Sequence, residues 1–327
     1  MSFRGCVLLF GVILLLPPLA IPQSTITLAG AGYARPAQQR QVAPSQLITF
    51  FLTGVQRTVP QRIQATNLPL PTALAGLSAT VAWTNASKQL PVLSVAQDNI
   101  CADRNATSPN CLITALTVQM PSDLAIPNPL AGSPFPQVAQ MTISENGTPS
   151  QAFLVFPIAV NGHILTSCDT TAANPSEVCS PIITHANGTL VSFTAPAKVG
   201  EIVVMYALGL GATAPLVPEG QATPTPAPPT TTQFGLSFDY ANPLGLLPSS
   251  SLASAPALHP SVSFAGLTPG EVGLYQINFT VQAPPFAGPS CPEDLAPNLT
   301  IKLVTAQSPA ALDTAEMCVD TASAAKP

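Results

Sequence analysis

Charged residues are scarce in this chain, and their scarcity excludes two classes of partner. Lysine and arginine total 10 and aspartate and glutamate total 15, so charged residues make up 8% of the 327 residues. An average domain has about 25%. With a net charge of −5, the chain lacks the basic surface that binds nucleic acids and anionic membranes. Uncharged polar residues and proline, which alone supplies 38 residues, must cover its surface instead.

Motifs of catalysis are also missing. No Gly-x-Ser-x-Gly sequence marks a serine hydrolase. The three histidines, His163, His185 and His259, are scattered. His163 and His185 each adjoin an Asn-Gly pair, which predicts exposed histidines on turns. A Ser/His/Asp triad assembled in space stays open, because such triads follow geometry rather than spacing.

Acidic residues neither pair as in a glycosidase nor cluster densely enough for calcium. Those in or beside the cysteine-containing loops are Asp98, Asp103, Asp169 and Glu177. We therefore predict no catalytic, cofactor-binding or metal-binding residue, no cofactor and no enzyme activity.

Residues 1–23 have the layout of a secretory signal peptide. Arg4 supplies a positive start, residues 6–16 form an apolar run, and Pro17 and Pro18 end it. Because the run is shorter than the ~20 residues of a membrane span, the pattern favours a cleaved signal over the alternative, an uncleaved anchor. We expect export to the periplasm, the cell surface or the medium, with no membrane span in the mature chain.

The cysteine count agrees with export. Six cysteines remain once Cys6 is removed with the signal, and an even number in an exported chain predicts disulfides. Six cysteines allow 15 pairings; we favour the sequential one, because each pair brackets a polar segment. The pairs are Cys101 with Cys111, Cys168 with Cys179, and Cys291 with Cys318. The alternative, a zinc site, lacks the C-x₂–₄-C spacing that it needs.

Alternation of apolar and polar residues predicts the fold class. Tyr275, Ile277 and Phe279 alternate with polar residues, as in a strand with one buried face. Similar short runs recur along the chain, separated by turn signals such as Asn146-Gly147, and no long amphipathic helix interrupts them. The pattern predicts an all-β protein of two tandem sandwiches with Pro-rich loops and little helix.

The predicted organisation has five parts. They are a signal peptide at 1–23, an N-terminal lead-in at 24–42, a first sandwich at 43–160, a second sandwich at 161–308 and a C-terminal tail at 309–327. The second sandwich contains a Pro-rich insertion at about 218–260, whose stretch 218–232 we expect to be an extended surface loop.

Three stretches together resemble a known family. Residues 264–278 are FAGLTPGEVGLYQIN, residues 196–211 are PAKVGEIVVMYALGLG, and residues 43–50 are APSQLITF, followed by Thr53-Gly54. They resemble the Solibacter-type uncharacterised C-terminal domain family of secreted acidobacterial proteins. The marking residues of the first stretch are Phe264, Gly266, Pro269, Gly270, Gly273, Tyr275, Gln276 and Asn278. We expect these residues to be structural, with Tyr275 packed inward and Gln276 and Asn278 bonding backbone in the adjoining loop.

The resemblance implies two tandem immunoglobulin-like, or IPT/TIG-like, sandwiches and brings no catalytic residues. The function expected from it is that of an exported bacterial, non-catalytic module, structural, adhesive or partner-binding, whose partner is a protein or a glycan. One alternative is a carbohydrate-binding module that stacks sugars on Trp83, although the alternation of Trp83 with Val81 predicts a core position. The other is a secreted hydrolase with an unrecognised site. We expect the variable disulfide loops and the Pro-rich insertion to carry the function.

Overall fold

A computed structural model describes most of the chain between residues 24 and 321. The described residues are 24–33, 36–37, 40–84, 86–99, 111–126, 138–170, 179–240, 258–285, 291 and 297–321. The predicted signal peptide lies outside them. We call residues 24–160 the N-terminal unit and residues 161–321 the C-terminal unit, because each surrounds its own hydrophobic core.

Strands account for nearly all of the regular structure. Those of the N-terminal unit are β1 Thr27–Gly32, β2 Pro36–Ala37, β3 Gln41–Val42, β4 Leu47–Thr53, β5 Ile63–Gln64, β6 Ala73–Leu74, β7 Leu77–Trp83, β8 Ala86–Gln89, β9 Val92–Asn99, β10 Leu112–Gln119, β11 Ala139–Glu145, β12 Thr148–Pro149 and β13 Phe153–Pro157. Those of the C-terminal unit are β14 His163–Ile164, β15 Ile183–His185, β16 Ala197–Lys198, β17 Ile202–Leu208, β18 Phe234–Tyr240, β19 Val262–Leu267, β20 Tyr275–Thr280, β21 Leu299–Thr305, β22 Ser308–Met317 and β23 Val319–Asp320. A short helix, α1, spans Ser167–Thr170. No helix in the described part of the chain is long and apolar enough to cross a membrane.

Two sheets enclose the core of the N-terminal unit. The first sheet has the order β2-β1-β4-β10-β9-β5, and the second has the order β3-β13-β11-β7-β6, with β8 on β7 and β12 on β11. Every second residue of a strand faces the same side, so Phe50 and Leu116 of the first sheet share one buried cluster with Val81 and Ile143 of the second. The arrangement is a sandwich.

The C-terminal unit is built on the same principle. One sheet has the order β14-β17-β20-β19, with β15 also on β17, and the other has the order β18-β21-β22. Phe238 of β18 meets Phe279 of β20 edge to face, with ring centroids 5.7 Å apart. Tyr275, Ile277 and Phe279 are fully buried, which confirms the inward face predicted from their alternation.

The lead-in and the tail differ from the prediction, because both belong to sheets. Within residues 24–42, β1 pairs with β4, and Ile26 and Ala31 are buried in the N-terminal core. Beyond residue 309, β22 pairs with β21, and Met317 and Val319 are buried in the C-terminal core. The sequence TLAGAG of β1 has no bulky alternating residues, and the first half of β22 is exposed on both faces. Neither strand therefore shows the period-two pattern on which the prediction depended.

The stretch 218–232 is partly exposed and also packs against neighbouring segments. Its backbone makes isolated hydrogen bonds rather than a continuous ladder. The amide of Thr230 donates to the carbonyl of Ala265, and the amide of Thr231 donates to the carbonyl of Ala212, each at 2.9 Å. A Cβ on Gly266 would lie 2.5 Å from the carbonyl oxygen of Pro228, so the stretch crosses directly over β19. The stretch is an irregular loop with many exposed residues, as predicted, but its contacts with β19 and with the N-terminal unit were not predicted, because isolated contacts of this kind leave no periodic pattern. Strand β18, in the middle of the predicted insertion, is a core strand of the C-terminal unit.

Two disulfides join the cysteines that the sequential pairing predicts, Cys168 with Cys179 and Cys291 with Cys318. Cys111 is also disulfide-bonded, but its predicted partner, Cys101, lies outside the described residues. Disulfides of this kind persist in oxidising compartments.

The third pair can be tested by peptide mapping of the non-reduced protein. We expect a disulfide-linked peptide that contains Cys101 and Cys111 and disappears on reduction. The Cys168–Cys179 peptide serves as the internal control. A peptide that links Cys111 to any other cysteine would contradict the sequential pairing.

The segment that connects the two units runs against two glycines that follow β17. Gly209 and Gly211 have positive φ values of 69° and 88°, which favour glycine. A Cβ on Gly209 would lie 2.2 Å from the carbonyl oxygen of Asn161, and one on Gly211 would lie 2.3 Å from that of Ala159. Backbone therefore packs on backbone where the units join, and no side chain fits between them.

Gly209→Ala should destabilise the protein by about 3 kcal/mol, because it combines a strained φ with a backbone clash. Gly188→Ala is the matched control: Gly188 also has a positive φ, 83°, but a Cβ there would meet nothing within 4 Å, so a loss of only about 1 kcal/mol is expected. Denaturant unfolding of both variants measures the difference. Equal losses would show that the close approach adds nothing.

Candidate functional site

The junction between the units is formed by the three stretches that carry the family resemblance. In the turn before β20, a Cβ on Gly273 would lie 2.9 Å from Leu47 Cγ and 3.2 Å from the carbonyl oxygen of Ser45. The buried hydroxyl of Tyr275 donates to the carbonyl of Gly211 at 2.5 Å, and burial raises its pKa. Stretches 43–50, 196–211 and 264–278 thus meet in space.

The Pro-rich stretch anchors the C-terminal unit to the N-terminal unit. The amide of Gly220 donates to Oε1 of the buried Gln119 at 2.6 Å. The carboxylate of Glu219 accepts from the amide of Ser122 at 2.7 Å and from Lys88 Nζ at 3.2 Å. Burial opposes its charge, but the donated hydrogen bonds and Lys88 hold the pKa of Glu219 below its ordinary value. Glu219 therefore stays ionised in the junction.

Tyr33 is the polar centre of the same junction. Its hydroxyl donates to the carbonyl of Asn161 at 2.9 Å and accepts from Gln46 Nε2 at 2.7 Å. Its ring stacks on the imidazole of His163, with centroids 4.1 Å apart and planes 13° apart. Burial raises the pKa of Tyr33, so the hydroxyl keeps its proton.

His163 lies between two carboxylates. Its Nε2 is 2.9 Å from Asp169 Oδ2 on α1, and its Nδ1 is 2.9 Å from Asp313 Oδ2 on β22. Burial alone would lower the pKa of His163, but the two carboxylates outweigh burial and raise it to about 9. The pKa values of Asp169 and Asp313 are lowered, since bonding to His163 and to backbone amides outweighs their own burial. We call His163, Asp169 and Asp313 the charged cluster.

The charged cluster closes the C-terminal sandwich. Asp313 also accepts from the amide of Ile164 at 2.8 Å, and Asp169 accepts from the amide of Thr166 at 2.7 Å. Both ring nitrogens of His163 face carboxylates and hold protons, so neither offers a lone pair to a substrate proton or to a metal. The cluster is therefore suited to holding β14, α1 and β22 together rather than to acid–base chemistry.

A cleft of about 450 Å³ opens beside this cluster, between the outer face of the first sheet and the C-terminal unit. That volume lies within the usual range for ligand sites, ~300–1,000 Å³. Its apolar walls are Leu47, Leu68, Leu70, Leu93, Leu165, Leu208, Val272 and Leu274. Its polar lining is Tyr33, Thr49, Arg62, Gln64, Thr66, Ser94, Thr117, Asp169 and Glu271.

The chemistry of the cleft suits binding more than turnover. Thr49 and Thr117 share one hydrogen bond of 2.9 Å between their hydroxyls, which leaves one hydroxyl hydrogen to donate to a ligand. Tyr33 and Asp169 are already engaged in the junction. Apolar walls with a few fixed polar groups are typical of a site that recognises a ligand.

The predictions for individual aromatic and histidine residues had mixed outcomes. The prediction of exposed turn histidines was wrong for His163 and for His185, whose Nδ1 lies 2.6 Å from Glu201 Oε1 and whose Nε2 lies 3.1 Å from the carbonyl of Ala195. His259 is exposed. Trp83 is 9% exposed and belongs to the N-terminal core, which confirms the core position and removes the stacking platform of the carbohydrate-binding alternative.

The polar residues of the strand motif are structural in a different way from that predicted. Gln276 and Asn278 bond each other, Nε2 to Oδ1, at 3.2 Å, whereas we expected bonds to backbone in the adjoining loop. Residues two apart on a strand share a face, and the face of β20 opposite the core brings these two side chains together.

The acidic residues considered for calcium do not assemble within the described part of the chain. Asp169 is committed to His163, and Asp103 and Glu177 lie outside the described residues. Across the residues that the structure describes, no group of three or more histidine, cysteine, aspartate or glutamate side chains is placed to hold a metal ion.

The cleft and the charged cluster escaped sequence reasoning because their members are far apart in the chain. Tyr33, His163 and Asp313 are separated by more than a hundred residues at each step. The one local signal was the six-residue spacing of His163 and Asp169. That spacing alone does not predict a contact, because the contact depends on α1, which directs the Asp169 carboxylate toward β14.

Sequence comparisons with protein families and with curated proteins found no match to this chain. The resemblance to the Solibacter-type family therefore stays a prediction, and the structure by itself defines a nearly all-β protein of two sandwich-like units.

The charged cluster predicts how stability depends on pH. Because the pKa of His163 is raised from 6.5 to about 9, its contribution, on the order of 2 kcal/mol, is fully present below pH 6.5 and lost as pH rises through 9. Because the pKa values of Asp169 and Asp313 are lowered from 3.8, their contribution is lost as pH falls below that value. Urea unfolding across pH 3–10 should show greatest stability between about pH 4 and 6.5.

His163→Gln should remove the alkaline part of this profile and lower stability near pH 6. His259→Gln, at a histidine outside the cluster, should keep the wild-type profile. Retention of the loss between pH 6.5 and 9 in His163→Gln would contradict the assignment.

Proposed function

We propose that this protein is an exported bacterial, non-catalytic binding module made of two tandem immunoglobulin-like sandwiches. It acts at the cell envelope or outside the cell and holds a partner in the cleft between its units. The observation that carries the proposal is the cleft itself, which has a volume of about 450 Å³, leucine-rich walls and hydroxyl groups, and lies at the junction of the two units. The disulfides support export, since they are stable in an oxidising compartment.

The junction supports binding because it pre-forms the site. Gly273, Tyr275 and Glu219 fix the C-terminal unit against the N-terminal unit by direct packing and hydrogen bonds. A ligand then needs to order few groups of the protein when it binds, which reduces the entropic cost of association. Sandwich folds commonly support recognition in this way, with binding residues on loops that a rigid framework positions.

The non-catalytic part of the proposal rests on the state of the two half-buried histidines. Each has both ring nitrogens beside an oxygen acceptor: two carboxylates for His163, and a carboxylate and a carbonyl for His185. A general base needs a ring nitrogen that is free to take a proton from a nucleophile.

A ligand screen with a cleft-filling variant tests the proposal. Peptide and glycan arrays should return a bound class, and Thr117→Trp, which fills the cleft, should reduce that binding at least tenfold. Thr142→Trp is the matched control, since Thr142 lies on β11 of the second sheet, outside the cleft. Binding that survives Thr117→Trp, or the absence of any ligand, would contradict the proposal.

Panels of ester, peptide and glycoside substrates test the non-catalytic part. We expect no turnover above the uncatalysed rate. Turnover by the purified full chain that is lost in His185→Ala or His163→Ala would overturn it.

A further inference from the structure

The first sheet ends in a strand with a free edge at the cleft. In the order β2-β1-β4-β10-β9-β5, β5 is the last strand and pairs only with β9 among the described residues. Ile63 and Gln64 are exposed, and Leu68, just beyond them, is 52% exposed. Exposed edge strands can pair with another chain unless the protein covers them.

The register of β5 shows which of its backbone groups point outward. The amide of Ala65 donates to the carbonyl of Leu93 at 2.8 Å, and Ile63 lies opposite Val95. In an antiparallel pair, residues alternate between those that bond the neighbour and those that face away from it. The amide and carbonyl groups of Gln64 and Thr66 therefore face the free edge, and neither residue makes a backbone hydrogen bond to another described residue.

The same residues line the cleft. Gln64 lies opposite Ser94 in the register, and both face the cleft on the outer side of the sheet, as Thr66 also does. A strand added beside β5 would therefore turn every second side chain toward the leucines of the cleft. Pro60 and Pro69 bracket this edge and limit it to the eight residues between them, because proline cannot donate to a ladder.

The far wall of the cleft supplies a charge. Glu271 lies on the turn of the C-terminal unit that lines the cleft, and its side chain is exposed and makes no ion pair or hydrogen bond with another described residue. A lysine or arginine of a bound segment would complement it.

We propose that the occupant of the cleft is an extended segment of a partner protein, which adds to β5 as an antiparallel or parallel strand. Backbone bonds to Gln64 and Thr66 supply affinity, and the segment carries apolar side chains at alternating positions and a basic residue that faces Glu271. This inference rests on the proposed function and names the class of ligand for the same cleft.

The test uses an octapeptide array probed with the full, disulfide-intact chain. The expected binders share apolar residues at alternating positions beside a lysine or arginine. On adding the best binder, the amides of Gln64 and Thr66 should gain protection from hydrogen exchange. Glu271→Gln should reduce the preference for the basic residue without abolishing binding of the apolar pattern.

A matched pair of variants separates backbone from side chain. Thr66→Pro removes the outward amide and should reduce affinity at least tenfold, with little change in melting temperature because that amide has no partner in the fold. Thr66→Ala keeps the amide and removes only a side chain that lines the cleft, so it should lose much less affinity than Thr66→Pro does. Methylation of the peptide's backbone nitrogens tests the ladder without altering the protein. It should abolish binding at the alternate positions whose amides face β5 and leave binding unchanged at the positions whose amides face away.

Several outcomes would overturn the inference. These are equal binding by Thr66→Pro and Thr66→Ala, exchange protection at other amides, or self-association that protects Gln64 and Thr66 without peptide, which would make the occupant a second copy. Binding of a glycan but of no peptide, lost in Thr117→Trp, would refute the peptide occupant and leave the proposed binding function standing.

Discussion

The contact of backbone on backbone between the two units is the constraint on which the rest of the structure depends. The carbonyls of Ala159 and Asn161 lie so close to Gly211 and Gly209 that no Cβ fits between them. Once these segments are fixed, Tyr33 can reach the carbonyl of Asn161, and Tyr275 can reach that of Gly211. Tyr33 in turn provides the surface on which His163 stacks. The cleft is the space left beside this joint, so its shape depends on these five contacts of glycine, tyrosine and histidine residues.

The scarcity of charge gives each charged group in the junction more weight. In a chain with 8% charged residues, Lys88, Asp123 and Glu219 form one network across the junction, and His163, Asp169 and Asp313 form another. Exposed ion pairs contribute little to the free energy of unfolding, about 0–1 kcal/mol. Removing one partner of a partly buried pair destabilises the protein more, because the other charge is left buried without a partner. Lys302 with Asp239 is of the first kind, because both side chains are largely exposed at 3.6 Å separation. The ion pairs that contribute most to stability therefore lie at two places: within the charged cluster of the C-terminal unit and at the junction between the two units.

How much could be predicted from the sequence depended on whether the information was local. Strand β20 was predicted because its alternation is complete within the strand, and β4 because its residues form one dense run of β-forming side chains. The Asn146-Gly147 turn was predicted because this pair tolerates positive φ, which both residues adopt. The strands β1 and β22 were missed because small or exposed residues carry no alternation. The packed course of residues 218–232 was missed because its hydrogen bonds go singly to Gln119, Ala212 and Ala265, each far away in the chain. The cleft could not be foreseen for the same reason, since its lining comes from segments that only the junction brings together.

The position of the sequence motif bears on where specificity lies. Gly266 packs on the Pro-rich stretch, Gly273 packs on Leu47, and Tyr275 donates a hydrogen bond to Gly211. A substitution at any of these positions would therefore disturb the packing of the fold. The motif is therefore a mark of the two-unit architecture. For the proposed ligand, substitutions that change specificity and preserve the fold would have to occur at lining positions outside those contacts. Arg62, Gln64 and Thr66 beside the free edge, and Glu271 on the exposed part of the turn, satisfy that requirement, because their side chains line the cleft and support no core. Under the proposed binding function, changes of ligand are expected along β5 and at Glu271, while the glycines and tyrosines of the junction maintain the fold.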